Sequence, residues 1–218
     1  MTTLPDPAPV TRPNRQRERT RKALISAGQT LFAVRPVEGV TVDDIVDAAN
    51  VAKGSFYNHF NDKDELAGAI YNFVQTDVER EIASVNEGVA DSPTRIARAL
   101  CTVTRYALEH PERLKALLSM AGPRRAVDSP LNAGVVADVG GGIDQGRLCG
   151  IDLECGVLCV IGIIQTTVRH AMSGDAHSAP ADLATGMGGS LLQALGLPHE
   201  EARALSRAAA DALLGDAS

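Results

Sequence analysis

The 218-residue chain reads as all-α. Apolar residues recur at intervals of three and four along most of it, and Ser, Thr, Asp and Asn stand where helices need their first amides capped. No stretch alternates apolar with polar residues as a half-buried strand does. A hydrophobic content of 44% against 22% charge supplies enough apolar material for a packed core, which excludes a chain disordered throughout.

The elements follow in order. Residues 1–13 carry Pro5, Pro7, Pro9 and Pro13 with few large apolar side chains, so disorder is predicted there. The arginines that follow make residues 1–18 a disordered basic arm, with Arg15 and Arg17 as its contacts to a nucleic-acid groove. A first helix is predicted from Thr20 to Ala33, with Leu24, Ile25, Gly28, Leu31 and Phe32 facing inward and Pro36 and Gly39 ending it. The second opens at Thr41, with Asp44 three residues on as the reciprocal acid of a capping box, and Val42, Ile45, Val46 and Ala49 share one face. Asn50 tolerates a left-handed backbone, so a turn is placed there.

From Ala52 to His59 a third short helix turns Ala52 and Phe56 inward, with Phe60 just beyond. Lys53, Gly54, Ser55, Tyr57, Asn58 and His59 are left over: a cation, a glycine permitting close approach, small donors and a phenol on one narrow face. That set suits the edge of a DNA major groove, with Lys53, Gly54, Ser55 and Asn58 facing the groove and Tyr57 and His59 touching phosphates. Thr41 is both cap and candidate phosphate contact. Asp62 caps the next helix with Glu65 at its third position, and Lys63 sits beside them within reach of a phosphate.

These residues carry a resemblance. Leu24-Ile25, Ala27-Gly28 and Leu31-Phe32, then Thr41 to Ile45, Val51 to Phe60 and Lys63 to Leu66 resemble the DNA-binding domain of TetR-family transcriptional regulators over residues 19–66. Asn50 departs from the family's usual glycine, and Arg35-Pro36-Val37 occupies a variable loop. The resemblance implies an N-terminal three-helix helix-turn-helix domain at 19–66 and a C-terminal helical domain at 67–218 for effector binding and dimerisation. It further implies a homodimer on a palindromic double-stranded DNA operator, released by a small-molecule effector, with repression as the outcome.

Charge is consistent with this division. The net charge of −6 opposes phosphate binding if spread evenly. However, residues 10–35 hold seven Lys/Arg against Glu18 alone, a local +6, whereas residues 67–218 hold 12 Lys/Arg and 18 Asp/Glu, a local −6. A basic end on an acidic body fits a protein that meets DNA at one end.

The helix opened by Asp62 is predicted to run to about Asn86, forming a rod into the body. Ser92-Pro93 starts another, to about His110; a short helix reaches Met120 and ends at Gly122-Pro123. Gly140-Gly141-Gly142 predicts a kinked helix near residues 130–146. Asp152–Ser173 is apolar nearly all round, which predicts burial on more than one side. In Ala181–Leu195 the glycines at 186, 188 and 189 predict close packing of another helix. These last two helices are the candidate dimer interface. A final helix begins at Pro198 and closes at Gly215. No run reaches the ~20 apolar residues that span a bilayer, and no hydrophobic leader is evident, so a cytoplasmic protein without membrane contact is expected.

An effector pocket is expected among the helices of residues 70–175, with Thr102, Tyr106, Gln165, Thr166, Arg169 and His170 as the polar groups in apolar helices. Beyond Phe73 only Tyr106 is aromatic, which favours an aliphatic or small polar effector over a flat cation. Arg169 is expected to pair with an acid of the body. The five histidines show no catalytic spacing, so no enzyme is expected, and neither a cofactor nor a metal is assigned. Two alternatives stand beside the main reading. Cys155 and Cys159 share a helix face and suit a thiol- or metal-responsive regulator, although their apolar neighbours are expected to raise their pKa. The helix pair also suits a protein-interaction module that does not bind DNA.

Overall fold

The computed structural model describes residues 12–120, 132–175 and 178–215. Ten α-helices and one 3-10 turn make up its regular structure, with no strand among the described residues. α1 (Arg12–Val34), the 3-10 turn (Val37–Gly39), α2 (Val42–Ala49) and α3 (Lys53–Tyr57) form the N-terminal domain with the start of α4 (Lys63–Val85). α5 (Ser92–Glu109), α6 (Pro111–Met120), α7 (Ala133–Asp144), α8 (Leu153–Ala171), α9 (Pro180–Ala194) and α10 (His199–Leu214) complete the body.

The local signals explain the N-terminal elements. The Thr41 hydroxyl accepts from the Asp44 amide at 3.1 Å while the Asp44 carboxylate accepts from the Thr41 amide at 2.9 Å, a closed capping box. Hydrogen bonds donated to the Asp44 carboxylate by the Thr41 amide, foremost, and by the Thr41 hydroxyl hold that carboxyl below the usual carboxylate range. α2 ends at Asn50 in the left-handed conformation, φ 53 and ψ 49, which turns the chain into α3. Asp62 accepts from the Glu65 amide at 2.7 Å and starts α4. Leu24, Phe32, Val40, Ile45, Phe56, Phe60, Leu66 and Ile70 are all buried in one cluster beneath these helices. At Gly28 a Cβ would lie 2.7 Å from the Ile70 side chain, so glycine lets α1 settle close against α4.

Several expectations need correcting. α1 begins at Arg12, not Thr20, so residues 12–18 of the expected arm are helical; Arg, Gln and Glu are good helix formers, and Pro13 sits in a first turn that needs no amide partner. Residues 1–11 lie outside the described residues, as do Gly122 and Pro123. Ala52 is the exposed N-cap of α3, and half-buried Val51 packs inward in its place. α7 is one continuous helix through Gly140–Gly142, where a Cβ on Gly142 would meet Leu148 at 2.6 Å. Its glycines serve close packing and do not break the helix.

The helix enclosed on many sides is α5, not α8. Ile96, Leu100, Cys101, Val103, Tyr106 and Ala107 of α5 are buried, and α4, α6, α7, α8, α9 and α10 all pack on it. α8 rests on α5, α7 and α9 through Val157, Val160 and Val168, while Leu158 on its outer side is 48% exposed. With 19 residues and a mean hydropathy of 1.2, α8 is also long and apolar enough to cross a membrane, contrary to the sequence expectation. It packs on three helices along one side only, and 28% of its apolar window is buried within the chain.

The Asn50 backbone supplies a direct check. Asn50→Val puts a β-branched residue in the left-handed region and is expected to lower stability by about 1–2 kcal/mol in urea unfolding, whereas Asn50→Gly keeps wild-type stability or exceeds it.

Candidate nucleic-acid interface

Burial divides α3 and the residues after it into two faces. Phe56 and Phe60 are buried, with ring centroids 5.8 Å apart, and anchor the helix to the core. Lys53, Gly54, Tyr57 and Asn58 are exposed, and Ser55 and His59 half-buried. Tyr57 is 54% exposed, a large apolar area for a side chain with no core role. The six residues singled out in the sequence therefore lie together on the outer side of one short helix and its end.

Three of the predicted contacts have intramolecular partners. The Lys53 ammonium lies 2.7 Å from the Asp43 carboxylate on α2, and that hydrogen bond and charge raise the lysine pKa. Lys63 donates to the carbonyls of Glu38, at 3.0 Å, and Val40, at 2.9 Å, tying the start of α4 to the loop ahead of α2. One of its three N–H donors is left, on a half-exposed residue. Thr41 is exposed but its hydroxyl is engaged in the capping box. Gly54 differs: a Cβ there would find nothing within 4 Å, so packing inside the chain does not require glycine at this position.

Next to α3 stands the first part of α1. Gln16, Arg17 and Thr20 face Ser55, Asn58 and His59 across an open cleft of about 560 Å³. Burial, with Arg17 and Arg21 nearby, holds the His59 imidazole below the ordinary histidine range. Arg21 is fixed over the Phe60 ring, 5.4 Å from its centroid. Gln16 and Thr20 escaped the sequence reading, which weighed charge alone; their four-residue spacing around Arg17 was the available signal.

The body presents other arrangements. Tyr106 is buried, its hydroxyl donates to Asp77 of α4 at 3.0 Å, and burial pushes its pKa up to about 12. Arg113 of α6 reaches the same carboxylate, and Arg80 pairs with it as well. Thr102 and Thr166 donate to their own helices, at Arg98 and Gly162. Arg169 donates to the Leu118 carbonyl and forms no ion pair among the described residues, which corrects the expected acid partner: its position at the end of α6 offers carbonyls instead. A cleft of about 360 Å³ opens there, lined by Ala33, Lys115, Leu118, Ser119, Arg169, Met172 and Ser173.

Among the cysteines, Cys101 is buried and its thiol is pushed up to about 12. Cys155 is exposed and also raised, but by the hydrogen bond and charge of Asp152, not by the apolar neighbours the sequence suggested. No cluster of three or more His, Cys, Asp or Glu suited to a metal occurs among the described residues.

The helix-turn-helix geometry has a counterpart in known proteins. The family model described as bacterial regulatory proteins, tetR family, matches residues 24–70. The HTH-type transcriptional repressor DhaR of Mycobacterium sp. strain GP1 is 39% identical over 75 residues, 34% of this chain and 38% of that protein. Residues 24–70 are those of a TetR-family DNA-binding domain. The chain's match spans about two fifths of that curated relative's length. A TetR-family regulator from Marinobacter aquaeolei VT8 aligns over 83% of this chain and 98% of its own, at 19% identity and a TM-score of 0.71, which shows that the body shares the fold. RolR in its ligand-free form aligns over 85% and 95%, at 25% identity and a TM-score of 0.60. TetR-family relatives of this kind are transcriptional regulators and not enzymes.

Two substitutions separate packing from contact in this TetR-family domain. Gly54→Ala, with open space for the methyl and a better helix former in place, is expected to keep or raise stability by up to about 1 kcal/mol while weakening DNA binding; unchanged binding removes Gly54 from the interface. Asp43→Asn releases Lys53 and removes a phosphate-repelling charge, so tighter binding with a steeper salt dependence is expected in fluorescence anisotropy titrations.

Proposed function

We propose that the chain is a ligand-responsive transcriptional repressor that binds a palindromic operator as a homodimer and is released by a small-molecule effector. The observation that carries this is the outer face of α3, where Lys53, Gly54, Tyr57 and Asn58 lie exposed on a helix anchored from behind by Phe56 and Phe60. In this reading Lys53, Gly54, Ser55 and Asn58 meet base edges, while Thr41, Tyr57, His59 and Lys63 meet phosphates. The kinship with DhaR, a repressor, supports repression. Function of this kind places the protein in the cytoplasm with its DNA.

The dimer is assigned to α8 and α9. Leu158 is 48% exposed, and Gly162 on α8 and Gly186 on α9 have nothing within 4 Å of a Cβ. By contrast, Gly188 faces Ser206 of α10 at 2.9 Å and Gly189 faces Arg203 at 3.6 Å, so only part of the α9 glycine run is explained within one chain. The hydroxyls on the open face, Thr166 and Ser190, donate to Gly162 and Gly186 of their own helices and can be covered without orphaning a donor. Two copies joined this way present two α3 helices to successive major grooves about 34 Å apart.

The test is selection of duplexes by the full chain from a random-sequence DNA pool, followed by sedimentation of the complex. An inverted repeat bound by two chains is expected. Leu158→Arg is expected to give a folded monomer with at least tenfold weaker binding to the selected duplex, because only one half-site can then be held. A wild-type chain that sediments as a monomer, or enriches no sequence, removes the proposal.

A further inference from the structure

Residues 15–19 of α1 take no part in the buried core of the N-terminal domain. Residues 15–19 are all exposed, and the core begins at Leu24. Gln16, Arg17 and Thr20 nevertheless form one wall of the cleft of about 560 Å³ whose other wall is Ser55, Asn58 and His59. The lining is chemically one-sided. Arg17 contributes a guanidinium, Gln16 and Asn58 side-chain amides, Ser55 a hydroxyl and His59 an imidazole, and no carboxylate is among them. Thr20 donates its own proton to the Gln16 carbonyl at 3.2 Å and so serves the wall itself.

We infer that this cleft seats one sugar-phosphate strand of the duplex, so that the helical start of α1, through Arg17 and Gln16, is a second DNA-contact element clamping the backbone beside the groove occupied by α3. The inference rests on the reading of the chain as a DNA-binding regulator. It differs from a flexible basic arm, because a helix fixes Arg17 relative to His59 while a disordered segment fixes neither. The occupant must be anionic and extended: donors face each other across an open channel, not around a closed pocket, and they continue the exposed face of α3. Phosphodiester oxygens next to a major groove meet both conditions. Arg17 and Arg21 both stand near the His59 ring, and no carboxylate is among the residues that line the cleft.

Arg19 provides the internal control. It is exposed on the same turn of α1 and carries the same charge, but it does not line the cleft. Duplex affinity of the full chain is measured by fluorescence anisotropy across a salt series for wild type, Arg17→Gln, Arg17→Lys and Arg19→Gln, on a duplex selected by the wild type. A local phosphate contact predicts that Arg17→Gln lowers the slope of log K against log salt by about 0.9 for each cleft occupied, weakens all sequences alike and leaves the melting temperature unchanged. Arg17→Lys retains most of the slope, and Arg19→Gln matches wild type. Equal losses for Arg17→Gln and Arg19→Gln would mean diffuse charge, and no loss for either would mean an empty cleft; each overturns the inference while DNA binding stands. A wild-type chain that enriches no duplex overturns the underlying reading and this inference with it.

Discussion

Helix α4 runs unbroken for 23 residues, about 35 Å, from the Asp62 cap beside the turn motif to Val85 in the body, and the two halves of the molecule meet along it. Its first turn is braced by Lys63 on the carbonyls of Glu38 and Val40. Its second and third turns are wedged against α1, where Gly28 admits Leu66 and Ile70. Further along, Asp77 gathers the Tyr106 hydroxyl and the guanidiniums of Arg80 and Arg113, which come from α4, α5 and α6. A rod held at both ends conveys a tilt from one end to the other, because packed interfaces repack between discrete arrangements and do not stretch. In the proposed regulator, a displacement of α5 or α6 would reach α4 through the Asp77 cluster and the helix packing beside it.

Electrostatics at the other end follow a different logic. The Lys53–Asp43 pair is exposed on both sides, so water screens it and, in the proposed complex, exchanging Asp43 for an acceptor on a base edge costs little. What the pair does is positional: in free protein it holds the lysine over α2. In the proposed complex Asp43 would remain at the interface as a charge that penalises a backbone in the wrong place, a form of discrimination that cations alone cannot provide. An acidic body beyond residue 66 extends the same effect, since it leaves the basic end as the favourable approach for DNA.

Local chemistry was legible in the residues, and partnership was not. The Thr41–Asp44 box, the left-handed Asn50 and the Asp62 cap each rest on two or three neighbouring residues, and each occurs where the pattern placed it. The start of α1 was misplaced because prolines and arginines were read as an arm, although nothing between Pro13 and Thr20 breaks a helix. Ala52 was turned inward because a four-residue spacing to Phe56 fits a helix that in fact begins one residue later, at Lys53. The ties of Lys53 to Asp43 and of Lys63 to two carbonyls depend on how separate elements are set together, and spacing along one helix carries no such information. At Cys155 the direction of the shift was anticipated but not its cause, which is an acid at the helix start.

The mismatch at α8 is the most informative of these differences. Hydropathy measures how much apolar surface a helix carries, not whether its own chain covers that surface. α5 is enclosed by six helices, whereas α8 uses one side for α5, α7 and α9 and leaves Leu158, Gly162 and Thr166 outward. An apolar helix side lined with small residues and internally satisfied hydroxyls is poorly suited to water and well suited to a second helix pair. Cys155 and Cys159 lie along the same side, so in the proposed dimer a thiol reagent and the partner chain compete for it. A thiol-responsive mode would then act on assembly first and on DNA binding only through it.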